Sequence, residues 1–138
     1  MKVMFDANVV LDVFQRRLPH YDASAACVNA VRRGVIEGCI PAHVLTTFYY
    51  VLAKYCDKQT AYDAVRWLLT HFTVAACDHT MLQEALACDM QDFEDAVVLV
   101  SAQHAGCACI VTRNQDDFHN APLPIVSPQA LIETIGKD

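Results

Sequence analysis

Three groups of acidic residues occupy places where an α/β chain gathers its chemistry. Asp6 follows the short apolar run Lys2 to Phe5, Asp92-Phe93-Glu94-Asp95 opens a long helical pattern, and Asp116-Asp117 comes after the β-branched run that ends at Thr112. Ligands in open α/β sheets bind just past the carboxyl ends of strands, which is where Asp6 and Asp116-Asp117 stand. Asp92 and Asp95 are one helical turn apart and share a face. Carboxylates brought together repel one another until protons or cations lie between them. An all-oxygen donor set selects hard ions, Mg²⁺ or Mn²⁺, over zinc. Such an ion polarises a phosphodiester and lowers the pKa of a bound water, so hydrolysis proceeds without a protein nucleophile.

Each acid also has a plainer reading. Asp92 suits an N-cap with Asp95 as the acidic member of a capping box. Asp116 and Asp117 suit a tight turn. Asp6 is harder to explain without a role, because an acid placed directly after a buried strand is desolvated unless something neutralises it. Arg113 beside the same turn serves either a phosphate or solvent, and Arg16-Arg17 either guides RNA or ends a helix. His20, His43, His71, His79, His104 and His119 show neither H-x-H nor H-x-x-x-H spacing, so no histidine metal site is expected. Tyr49, Tyr50 and Tyr55 lie in a helical pattern that favours core or dimer packing over base stacking.

The elements that must position these residues can be read from periodicity and caps. Lys2 to Phe5 is a buried first strand, followed by a helical turn from Val9 to Phe14 and a helix from His20 to Arg33 closed by Gly34. Cys39-Ile40 is a short strand, and Pro41 opens a helix from Ala42 to Tyr55 that pairs with a second, Thr60 to His71. Phe72 to Ala76 is a strand candidate, and Asp78 or Thr80 caps a helix reaching Cys88. The Asp92 to His104 helix, stopped at Gly106, leads into a strand from Cys107 to Thr112 and the polar turn Arg113 to Phe118. Ile125-Val126 is a last strand, with Ser127-Pro128 opening a terminal helix to Ile135. Strands alternating with helices imply right-handed βαβ crossovers, hence an α/β fold with a mostly parallel sheet covered on both faces.

The 138-residue length and 54% hydrophobic composition suit one self-folding domain over residues 1–138. Its longest apolar candidate, Ala96 to Ala102, is far short of a membrane span, and Asp6 interrupts any leader-like start, so a cytoplasmic protein is expected. Seven cysteines, odd in number and without a C-x-x-C pair, read as buried thiols in a reducing compartment. Cys107 and Cys109 fall within a probable strand, where at least one of them is expected to touch solvent. The net charge of −6 is unusual for a protein that binds a polyanion, unless a carboxylate cluster is neutralised by divalent cations in its working state.

Taken in order, Phe5-Asp6-Ala7-Asn8-Val9-Val10-Leu11-Asp12, Asp92-Phe93-Glu94-Asp95-Ala96 and Val111-Thr112-Arg113-Asn114-Gln115-Asp116-Asp117-Phe118 resemble the PIN-domain family, over essentially the whole chain. The resemblance implies a parallel sheet of about five strands flanked by helices. It also implies a Mg²⁺- or Mn²⁺-dependent endoribonuclease of the VapC-like bacterial toxin kind, with RNA as substrate, an antitoxin partner and a homodimeric state. By the resemblance Asp6 is the first metal-binding acid, Asp95 the third and Asp117 the fourth, with Asp92 as a further ligand and Asn8, Thr112, Arg113 and Asn114 in support. The second acid of the family, a Glu on the helix after the second strand, has no counterpart between Ala42 and Tyr55, where Thr46, Thr47, Tyr49 and Tyr50 stand. Asp92, Glu94 or Asp12 would then compensate, and an alternative is a PIN module that binds RNA or protein without cutting. A phospho-accepting domain using Asp6 is disfavoured by Asn8 two residues on and by the lack of a Gly-rich phosphate loop.

Overall fold

The computed structural model describes residues 1–136. Five strands, β1 (Lys2–Phe5), β2 (Glu37–Pro41), β3 (Thr73–Ala75), β4 (Cys109–Val111) and β5 (Ile125–Val126), form one sheet in the order β3-β2-β1-β4-β5. Every pairing is parallel, with Met4 opposite both Cys39 and Ile110. Seven helices flank it: α1 (Ala7–Phe14), α2 (Tyr21–Arg32), α3 (Ala42–Tyr55), α4 (Lys58–His71), α5 (His79–Ala87), α6 (Phe93–His104) and α7 (Pro128–Gly136). The chain starts at the centre, builds outward through β2 and β3, then returns to lay β4 and β5 on the other side. That reversal leaves a crevice between the carboxyl ends of β1 and β4.

Local chemistry sets the helix starts. Asp57 and Asp78 accept from the backbone N–H of Thr60 (2.7 Å) and Met81 (2.9 Å), and Ser127 from Ala130 (3.1 Å), each satisfying an otherwise unpaired first-turn donor. Gly34 and Gly106 follow α2 and α6 with φ of 77° and 73°, the left-handed backbone that ends a helix. A third glycine matters for packing: a Cβ on Gly38 of β2 would lie 2.6 Å from the Phe72 ring and 2.8 Å from Val31. Phe72 in turn meets Phe5 edge to face at 5.1 Å.

The main core forms where the helices pack onto the sheet, with a smaller cluster of Met81, Ala85, Ala96, Val97 and Val100 between α5 and α6. Ala96 to Ala102 is buried throughout, so α6 is enclosed on all sides rather than amphipathic. One sequence expectation is corrected: Cys107 and Cys109 are both buried, so neither meets solvent. Of the two readings of Tyr49, Tyr50 and Tyr55, core packing does not apply, since they stand on the outer side of α3, Tyr50 and Tyr55 under Lys54 at 5.9 and 5.4 Å.

Candidate functional site

Asp6 is placed by the end of β1. Its backbone N–H donates to the Val111 carbonyl at 3.1 Å, extending the β1–β4 pairing by one residue, and its side chain caps α1 through the Ala7 N–H at 2.8 Å. The other carboxylate oxygen accepts from the Thr112 hydroxyl at 2.9 Å and from the Asn8 amide at 3.4 Å. Thr112 is fully buried, and its oxygen also accepts from Asn8 Nδ2 and the Asn114 N–H, both at 3.1 Å. Asn8 Oδ1 accepts from the Arg113 N–H at 3.1 Å. Asn8, Thr112 and Asn114 thus lock the turn after β4 onto the first turn of α1, and a carboxylate oxygen with two lone pairs keeps acceptor capacity for a ligand. Burial nonetheless pushes the Asp6 carboxyl above its ordinary range, the Ala7, Thr112 and His43 contacts pull it back, and Asp117 adds a further rise.

Across the crevice, Asp92 caps α6 by accepting from the Asp95 N–H at 3.1 Å, and among the described residues no bond returns from the Asp95 carboxylate to close a capping box. Asp95 is pushed up to about 7, first by burial and then by Asp6, Asp92, Asp117 and Glu94. Those couplings bring together the three acidic groups that are far apart in sequence. Asp92, Asp95, Asp116 and Asp117 line one cavity of about 800 Å³, together with Asp89 and His119. The carboxylate donors and their mutual repulsion suit a hard divalent cation. Among the described residues no three His, Cys, Asp or Glu side chains close on one point as metal ligands, so the pocket is an electronegative basin rather than a closed ligand set.

The PIN-domain model matches residues 2–116 of the chain. The chain belongs to the PIN-domain family. It is similar to ribonuclease VapC1 of Aquifex aeolicus (strain VF5), 23% identical over 137 residues that cover 96% of this chain and 94% of the relative. Among solved structures it is similar to a toxin–antitoxin complex from Klebsiella pneumoniae, with a TM-score of 0.70 and 21% identity over 91% of this chain and 97% of the other. It is likewise similar to VapBC2 from Rickettsia felis bound to a promoter DNA fragment, with a TM-score of 0.69 and 14% identity over 92% and 98%.

Three further positions around the site are set by the structure. Arg113 forks onto the fully buried Asp12, Nε to Oδ2 at 2.6 Å and a terminal nitrogen to Oδ1 at 3.0 Å, while Ser24 donates to the same carboxylate at 3.0 Å. Asp12 is thereby committed and does not replace the absent Glu. Arg16 lies at the end of α1 with φ of 50°, the helix-ending role of the pair Arg16-Arg17.

The third position is His43, in the first turn of α3 past the carboxyl end of β2. Its two ring nitrogens are shielded from solvent, and the ring lies against the Glu94 backbone. Burial lowers its pKa, opposed by Glu94 and Asp6, whose charges reach the ring. Comparing histidines only with one another conceals this residue; its place just past a strand end, the signal that singles out Asp6, would have found it.

Proposed function

We propose that the chain is a Mg²⁺- or Mn²⁺-dependent endoribonuclease and the toxin of a toxin–antitoxin pair. The observation that carries this reading is the acidic pocket lined by Asp92, Asp95, Asp116 and Asp117, where Asp95 is pushed up to about 7 by burial and four neighbouring acids. The ribonuclease name of the Aquifex relative supports it. Asp6, Asp95 and Asp117, with Asp92, would hold the ion, which when bound supplies a polarised phosphate and a water of lowered pKa. Asp6 is held rigidly by its hydrogen bonds to Ala7, Thr112 and Asn8, so one donor is preorganised. Asp95 retains a proton near neutral pH until positive charge displaces it. Thr112, Asn8 and Asn114 act through Asp6 and the turn that carries Asp117, and the Arg113–Asp12 pair anchors that turn to α1.

Solved neighbours are toxin–antitoxin assemblies, and an antitoxin partner follows the same logic here. A surface that would suit such a partner is the apolar groove of about 630 Å³ between α1, α2 and α4, where Phe14, Tyr21 and Trp67 offer aromatic anchors. Seven free thiols fit the reducing cytoplasm as the site of action. Among the described residues no helix is long and apolar enough to cross a membrane. Induced expression tests the toxin role: the wild type should arrest growth and accumulate discrete RNA fragments, and Asp95→Asn should do neither. Equal growth and intact RNA in both strains would reject it.

A second reading, a PIN module that binds without cutting, is favoured by one observation: α3 carries no acid, so the basin lacks a carboxylate on that side. Tight binding of one RNA by the wild type, with no cleavage in any metal, would select it.

A further inference from the structure

RNA is a polyanion, and the acidic basin has no Lys or Arg in its lining among the described residues. Beside the basin lies a polar cavity of about 420 Å³, lined by Arg113, Asn114, Gln115, Asp116 and Asp117. Asp116 and Asp117 line the basin too, so the two spaces meet across the turn after β4. Among the described residues, Arg113 is the one Lys or Arg that lines either of them.

The guanidinium of Arg113 is fixed along one edge. Nε and Nη2 donate to the two oxygens of Asp12, which is fully buried and also accepts from Ser24. An arginine has five N–H donors, so three remain. Nη1 has no partner among the described residues and, unlike the ring nitrogens of His43, it is not sealed from solvent. The side chain as a whole keeps 23% of its surface exposed. Anchoring the turn to α1 uses the bonded edge and leaves the open edge without a role. Because folding already immobilises this long side chain, a ligand on the open edge meets donors whose rotamer freedom is lost before it arrives. A planar edge of N–H donors matches the oxygens of a phosphate.

We propose that the open edge of Arg113, mounted on Asp12, is a phosphate clamp that holds the phosphodiester of an RNA strand adjacent to the one at the acidic basin. The proposal rests on the ribonuclease reading of the basin and adds to it the group that grips the RNA backbone. Asp116 and Asp117 repel that phosphate until a divalent cation neutralises them, so the clamp and the basin fill together.

The test measures fluorescence anisotropy with Mg²⁺ present, in the Asp95→Asn background, using labelled single-stranded RNA hexamers that carry one uncharged methylphosphonate linkage at each position in turn. One linkage should cost the background protein about tenfold in affinity, and the others far less. Adding Asp12→Asn and Arg113→Gln together leaves the net charge unchanged and a neutral hydrogen-bonding pair in place of the ionic one. That variant should bind the unmodified hexamer about tenfold more weakly and lose the penalty at the sensitive linkage. Arg113→Lys, which keeps the charge without the planar edge, should retain part of the penalty. Melting curves check that each variant folds; if the double variant does not, an undiminished penalty in Arg113→Lys overturns the clamp by itself. No binding of any hexamer, no sensitive linkage, or competition by inorganic phosphate without one also overturns it. Cleavage by the wild type, run in parallel, separates the two claims. A sensitive linkage that depends on Arg113 without cleavage rejects the ribonuclease reading and keeps the clamp; cleavage with binding indifferent to Arg113 does the reverse.

Discussion

At the scale of single residues, Asp95 carries a pH signature. Its ordinary value of 3.8 applies to the unfolded chain, and in the fold it is pushed up to about 7, mainly by burial. Between those values the unfolded state gives up a proton that the folded state keeps, so metal-free stability falls as pH rises from about 4 to about 7 and then levels off. Asp95→Asn removes this dependence. In EDTA at pH 8 it should melt above the wild type by roughly 2–4 °C, a small figure because the side chain is half-exposed, and the gap should close toward pH 4. Thermal melts at both pH values check this, and a variant less stable at pH 8 would contradict it. Arg113→Ala strands the buried Asp12 carboxylate and should cost about 3–5 kcal/mol in urea unfolding, with Arg113→Lys recovering only part because it lacks the fork. The acids were legible from their places after strands. The Asp12–Arg113 pairing was not, because its partners are 101 residues apart and no local pattern links them.

Among the elements, most helices announced themselves through their caps. Asp57, Asp78 and Asp92 all begin helices within two residues of where periodicity alone would start them. Strands were less legible at their ends: β3 and β4 are three residues each, Cys107 lies before β4 rather than in it, and both thiols are covered by packing, so the Cys107 and Cys109 expectation failed. Gly38 shows a constraint that depends on a partner element. Its backbone is ordinary, but the Phe72 ring and Val31 occupy the space of a Cβ, so Gly38→Ala must displace buried groups and should destabilise by about 1–3 kcal/mol. Denaturant unfolding checks it. Wild-type stability in the variant would show that β2 can shift away from Phe72.

For the whole molecule, the parallel sheet and its reversal between β1 and β4 bring Asp6 and the turn after β4 to one crevice, where α6 adds its first-turn acids. Alternating strands and helices made that architecture legible, whereas the absence of an acid on α3 left its chemistry open. We propose the exposed tyrosines of α3 as the face of a homodimer, since a ring such as Tyr50 at 62% exposure would gain by burial against a second copy. Sedimentation should find a dimer that Tyr50→Glu weakens about tenfold or more, and an unchanged dimer would move the interface elsewhere. The most direct test of the central claim is RNA cleavage by purified wild type and Asp95→Asn, each in EDTA, Mg²⁺ and Mn²⁺. A carboxylate metal site predicts cutting by the wild type alone and only with metal. Equal cutting by both proteins, or cutting that persists in EDTA, would contradict it.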